Sequence, residues 1–315
     1  MKRLLIRRLI AYAPTVILVT ALVFSLVLLL PQDPVSQLMD DFSASEELVK
    51  FFRAKYGLDR PIHVQYVDWL GGIFTGDWGY SFRTGERIRE SMQRRWLVTI
   101  ELAFGSMAVT LLIALPVGIY SAVRPYGLGD NTGTVFAIMG LAIPNFWLGI
   151  MMIYLFAVIL GWVPASGYVE PWQDPLGNLH RMILPVIVSG TSRTANIMRQ
   201  TRSAMLEVMR QDYIRTAHSK GLTETTVLLR HALRNGMIPV MTVMGLHVAS
   251  LLEGSTVVET IFGLPGMGQF AVQAALTLDL PAVQASLLLF GTIVILANFT
   301  VDILYGFMDP RVRHT

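Results

Sequence analysis

Ser189, Thr191, Ser192, Arg193, Thr194 and Asn196 crowd into an otherwise apolar run over residues 182–198. Hydroxyls, an amide and a guanidinium at membrane depth offer hydrogen bonds and charge that lipid cannot satisfy. Other ionisable groups lie in or near apolar runs: Glu101, His247, Glu253 and Asp302. No spacing pairs any two of them as acid and base, so catalysis by this chain is not expected. The six histidines show no HExxH or other paired metal-ligand spacing. A phosphate-binding GxxxxGK[ST] loop is absent, and the only glycine–lysine neighbours, Lys220-Gly221, stand in the reverse order. Nor does a GxSxG elbow occur. The chemistry on offer is the passage of a solute past polar groups, with any nucleotide bound elsewhere.

The elements that position these residues follow from composition. Of 315 residues, 53% are hydrophobic and 15% charged, whereas a soluble domain carries about a quarter charged residues. Several apolar runs reach the roughly 20 residues that cross a bilayer as helix, the form that satisfies its own backbone in lipid. The expected fold is therefore an all-α membrane protein with six transmembrane helices. The spans are expected over about 9–30, 97–123, 132–160 (interrupted at Pro144-Asn145), 182–198, 237–258 and 283–307. The basic N-terminal flank is that of a signal peptide, but its apolar run is too long and no small-x-small cleavage site follows, so it reads as a retained first span. With no cysteine, disulfides and thiolate sites are excluded.

Between spans one and two lies a large extracytoplasmic segment, 31–96. Ser43 and Glu46 start an amphipathic helix there as a capping box, and Gly57 stops it. Tyr66, Trp69, Phe74, Trp78 and Tyr80 follow among glycines, either at the membrane interface or as the core of a small packed unit. Residues 1–30 are the cytoplasmic N-terminus with the first span, and the third division, 97–315, is the transmembrane core of five helices with a polar, basic helical loop at about 200–236.

Charge sets the sidedness. Fourteen Lys/Arg fall in the N-terminus, the 124–131 turn, the 199–234 loop and the C-terminus, while the two shorter outer loops hold only Arg181. The long outer segment balances nine basic against ten acidic residues and counts weakly. Both termini and the 199–234 loop are thus expected in the cytoplasm. The net charge of +3 is read through this distribution rather than as nucleic-acid affinity. At these depths Glu101 is expected to snorkel or sit at the interface, and Asp302 to have a structural partner. His247 reads as a packing residue. Arg193, toward the inner end of span four, leaves snorkelling and pathway lining both open. Glu253 leaves pathway or inter-subunit bonding and helix-end solvation open. Span four is too polar to face lipid, and with span five it is expected to line a conduit through Ser189, Thr191, Arg193, Asn196 and Glu253.

The cytoplasmic loop carries a resemblance. Arg215-Thr216-Ala217, three residues, Gly221, nine residues and His231-Ala232-Leu233 follow the spacing of the EAA loop of ABC-importer permeases. Arg215 and Arg234 depart from that pattern's glutamate and proline. Both departures resemble the peptide/nickel branch of the family, as do DYIRTAHSKGL, HALRN, VVETIFGLPGMG and the terminal DPR; LPQDP departs from the branch's PGDP at Gln32. The resemblance implies a bacterial inner-membrane permease subunit that pairs with a second homologous permease, two cytoplasmic ATPase subunits binding ATP and Mg, and a periplasmic substrate-binding protein. It implies a coupling helix in which Asp212, Tyr213, Arg215, Thr216, Ala217, His218, Lys220 and Gly221 meet the ATPase. Peptides are the implied cargo, with nickel chelates or other solutes carried by some members. The rival class is an ion-driven secondary transporter or channel, which needs inverted repeats and a buried acidic relay that are not visible here.

Overall fold

The computed structural model describes residues 2–28, 59–252 and 256–308. The helix expected from Ser43, together with Glu253 and the LPQDP and DPR motifs, lies outside the described residues. Twelve α-helices make up most of the described chain, and it holds no β-strand, only an isolated bridge between Tyr80 and Arg87.

α1 (Lys2–Leu28) is followed by α2 (Ile62–Thr75) and the long α3 (Ile88–Val123). α4 (Leu128–Ala142) and α5 (Asn145–Met152) come next, α5 running on as a π-helical segment, Ile153–Ile159. α6 (Pro175–Met209) leads to the short α7 (Asp212–Ser219). α8 (Glu224–Thr226) and a second π-helical segment, Val227–Ala232, then feed α9 (Leu233–Leu252). α10 (Thr256–Ile261), α11 (Met267–Leu276) and α12 (Leu280–Met308) finish the bundle.

Among the described residues, α3 and the Leu280–Thr300 part of α12 are long and apolar enough to cross a membrane. α4 and α5 with its π extension pass only as a pair bent by 101°. The cause is Pro144, which forces Ile143 into extended backbone and cannot continue the helix hydrogen-bond ladder. α6 has the length of a span but lacks the apolarity, and the described apolar part of α1, Ile10–Ser25, is short.

The core is the α3–α6 pair. Ser106 and Gly190 meet near the middle of both helices, and Gly118 lies against Met198 and Thr201 nearer their ends, so the two run parallel. A Cβ on Gly118 would come within 2.8 Å of the Met198 carbonyl, and one on Gly190 within 3.1 Å of the Ser106 carbonyl. Small residues let membrane helices approach this closely. Thr110 Oγ1 donates to the Gly190 carbonyl across the seam at 3.2 Å. α4 and α9 run antiparallel to α6: Gly133 lies near Met198 and Gly140 near Thr191, while Gly236 lies near Met205 and Ser250 near Arg193.

The bundle therefore has an α7 end and an α2 end. At the α2 end, Tyr66 and Trp69 pack on Phe24 of α1 with ring centroids 5.4 and 5.7 Å away, and Trp78 joins a cluster with Ile88 and Met92. Phe74, in contrast, is 80% exposed. The aromatic run thus divides between packing and surface.

Candidate functional site

α7 begins with Asp212, whose charge suits a helix N-terminus. Its only buried residues are Ile214 and Ala217, one turn apart and so on one face. They sit in a cluster with Ala122 of α3, Met205 of α6 and Val227 and Ala232 of the segment that leads into α9. α7 is thereby fastened to the ends of three long elements. Asp212, Tyr213, Arg215, Thr216, His218 and Lys220 remain exposed. The helix closes with Gly221 N–H donating to the His218 carbonyl at 2.9 Å and Leu222 N–H to the Ala217 carbonyl at 3.4 Å, the paired bonds of a Schellman turn. Gly221 holds φ at +76°, and a Cβ there would meet nothing within 4 Å, so conformation and not space demands glycine. Asn235 Nδ2 donates to Tyr213 Oη at 2.9 Å, tying α7 to the first turn of α9.

One turn deeper, α6 is clamped to α4. Arg202 donates through Nε and Nη2 to the two oxygens of Asp130 at 2.6 and 2.7 Å, and Tyr126 N–H adds a bond to Oδ2 at 2.8 Å. Asp130 is 2% exposed. A bidentate, charge-assisted pair of this kind fixes orientation as well as distance.

Farther along α6, exposed polar residues recur every three or four positions as Asn196, Arg199, Ser203 and Glu207, forming one stripe. Beside it, toward α9, Arg193 donates to the Ser189 carbonyl at 2.6 Å and to Ser250 Oγ at 3.2 Å. Its Nε is buried without a partner, as are Ser189 Oγ and His247 Nε2. The other two such atoms among the described residues, Ser121 Oγ and Thr201 Oγ1, belong to neutral hydroxyls. Among the described residues no carboxylate lies within ion-pair distance of Arg193. Because α6 continues to Met209, Arg193 stands near the middle of the helix as a whole. Sixteen residues at 1.5 Å each put it about 24 Å from the α7 end of the helix.

The α2 end is tied by three acids. Glu259 of α10 is fully buried and accepts from Thr99 Oγ1 at 3.1 Å and Gln269 N–H at 2.8 Å. Thr99 Oγ1 accepts in turn from Met267 N–H at 2.9 Å, so the carboxylate and the hydroxyl together cap α11. Asp279 accepts from Ser81 Oγ and from Phe82 N–H, which holds the turn after α2 on the start of α12. Tyr168 Oη donates to Glu101 at 2.8 Å; burial and the neighbouring carboxylate push the phenol above its ordinary pKa, so it stays a donor.

The structure brings Ser189, Arg193 and Asn196 to one side of α6. Thr191 turns the other way, toward Gly140 of α4, and lines an apolar groove with Ile113, Phe136 and Ile187. Ala217 lies on the buried face of α7, where it anchors the helix. Sequence reasoning passed over Asp130, Arg202, Asn235, Asp279 and Glu259. The last stood inside VVETIFGLPGMG, whose crowded glycines were the available signal: a Cβ on Gly266 would come within 2.3 Å of the Glu259 carboxyl.

A helical bundle with, midway along a long polar helix, a cation that has no ion-pair partner among the described residues, and with an amphipathic helix seated across one end, has the build of a membrane transport subunit. The chain belongs to the binding-protein-dependent transport system inner membrane components: that family matches residues 114–314, and its N-terminal counterpart residues 1–103. It is 41% identical over 314 residues to a putative peptide transport system permease of Brucella abortus, covering 100% of both chains. It is 40% identical to an oligopeptide transport system permease of Bacillus subtilis, covering 98% of this chain and 99% of the relative. It is 39% identical to the dipeptide transport system permease of Escherichia coli, covering 100% and 99%. Among solved structures, the inward-facing methionine ABC transporter MetNI overlaps it with a TM-score of 0.49 at 20% identity, over 71% of this chain and 95% of that one.

Proposed function

We propose that this chain is the transmembrane permease of an ATP-driven peptide importer and forms half of its translocation pathway. Relatives named as dipeptide and oligopeptide permeases match it end to end, which favours peptide as cargo. The reading includes six spans with both termini cytoplasmic, residues 31–96 outside, and a core over 97–315. A second homologous permease completes the pathway, two ATPase subunits dock inside, and a substrate-binding protein delivers cargo from outside.

The observation that carries this reading is α7. Its buried underside holds the ends of α3, α6 and α9 together, and its outer face offers Asp212, Arg215, His218 and Lys220 to a partner. Closure of the ATPases then moves a helix that grips three long elements at once and rocks them between outward and inward openings. Ser189, Arg193 and Asn196 face the resulting path.

Gly221 tests the link. A β-branched residue forced to φ near +76° costs about 1–2 kcal/mol of local strain, enough to unwind the turn behind α7 without touching the bundle. In proteoliposomes containing the whole complex, Gly221→Val is expected to lower peptide uptake about tenfold while ATP hydrolysis persists. Wild-type uptake at normal expression would reject the docking role of α7.

A further inference from the structure

We infer that Arg193, with Ser189, His247 and Ser250, forms the subsite that receives the C-terminal carboxylate of a peptide in transit. This deepens the importer reading above and rests on it.

The cluster is a set of unmet polar atoms drawn from two helices. A guanidinium has five N–H donors, and the described partners of Arg193 are the Ser189 carbonyl and Ser250 Oγ. His247 and Ser250 stand three residues apart on α9 and so share the face that meets Arg193 through Ser250. Ser189 Oγ and His247 Nε2, on the residues that carry or neighbour those partners, are likewise buried without a hydrogen bond. Lipid satisfies none of these groups, and a cation with no counter-ion among the described residues is expensive to keep.

The location suits cargo. Thr194 Oγ1 reaches Thr110 Oγ1 at 3.4 Å, so this part of α6 is level with the middle of the apolar α3. The Nε of Arg193 is buried, yet its Nη2 meets Ser250, which is exposed, and Asn196 opens the polar stripe one turn away. An anion arriving along the stripe meets a guanidinium with N–H groups to spare, and arginine binds a carboxylate through two parallel bonds. A peptide carries such a group at its C-terminus whatever its side chains. A single subsite of this kind therefore takes peptides of many sequences and releases them once the pathway opens to water.

The test uses the full complex without nucleotide, with Asn196→Cys as reporter; this chain has no cysteine of its own. A water-soluble thiol reagent is expected to modify that position. Trialanine at millimolar concentration, without binding protein, is expected to slow modification about threefold, and trialanine amide, which lacks the carboxylate, to leave it nearly unchanged. Arg193→Gln abolishes the protection and Arg193→Lys keeps part of it. The comparison of the two peptides needs no substitution at Arg193, so a poorly folded variant does not spoil it. Equal protection by both peptides overturns the subsite. So does modification untouched by trialanine, the result expected if the second permease or Glu253 supplies the counter-ion. No modification of Asn196→Cys at all rejects the pathway reading itself, so the two failures are told apart.

Discussion

Two arginines nine residues apart on α6 are treated in opposite ways. Arg202 places two N–H groups on both oxygens of a buried aspartate, and a backbone N–H completes the carboxylate's shell. Arg193 holds its own helix carbonyl and one serine, with Nε left bare among other unpartnered atoms. About 13 Å of helix separates a site built to hold from a site left open. The lesson is mechanical: α6 is fastened where α7 would deliver force, and kept chemically unfinished where cargo would pass.

Breaking the fastening has the largest expected effect. Asp130→Leu leaves Arg202, whose side chain is 25% exposed, without its partner, a loss of about 1–3 kcal/mol for a charged donor stripped of its acceptor. Thermal unfolding of the purified complex should fall by several degrees, with poorer recovery of folded protein. Asp130→Leu with Arg202→Met removes both charges and should recover most of that loss. A double variant as unstable as the single one would mean that packing at Asp130, and not the ion pair, is the fastening.

A smaller effect is expected at Tyr213, which lies between the two extremes. Its bond to Asn235 is neutral, and the ring is 41% exposed. Tyr213→Phe should cost about 0.5–1.5 kcal/mol, near the bottom of that range because water replaces the partner. Uptake per ATP hydrolysed should fall by no more than about twofold, since Ile214 and Ala217 still anchor α7. A deficit as deep as that of Gly221→Val would shift the coupling role from the buried face to the Tyr213–Asn235 bond.

How much of this was legible depended on sequence separation. The α7 loop could be read because its signals are local: a glycine where the helix must turn left-handed, and DYIRTA and HALRN at fixed spacing. The polarity of span four was equally plain. Hydropathy measures apolar length, not helix length, so it gave no sign that α6 runs eleven residues past Met198 as a polar helix. Two prolines show the same limit. Pro144 breaks its helix and bends the pair by 101°, whereas Pro185 lies inside an unbroken α6. The Asp130–Arg202 clamp joins residues 72 positions apart, and nothing in either local sequence announces it. Glu259 and Glu253 look alike in sequence, both acids near the same helix end, and only packing shows that Glu259 is fully buried and partnered.

The smallest expected effect is also the most exacting check on the contrast along α6. Truncating a paired buried arginine is destabilising, but removing a cation that lacks a counter-ion also removes its uncompensated desolvation. Arg193→Met keeps the length of the side chain and the packing of its stem, and gives up only two hydrogen bonds, one of them to a carbonyl of its own helix. The two terms nearly cancel, so the unfolding temperature of the complex should stay within about 2 °C of wild type, a change of no more than about 1 kcal/mol, while peptide uptake falls. A loss comparable to that of Asp130→Leu would mean that Arg193 has a counter-ion in the assembled transporter and is a second fastening. Unchanged stability with reduced uptake leaves Arg193 its only remaining role, as the charge that α6 keeps for what passes along it.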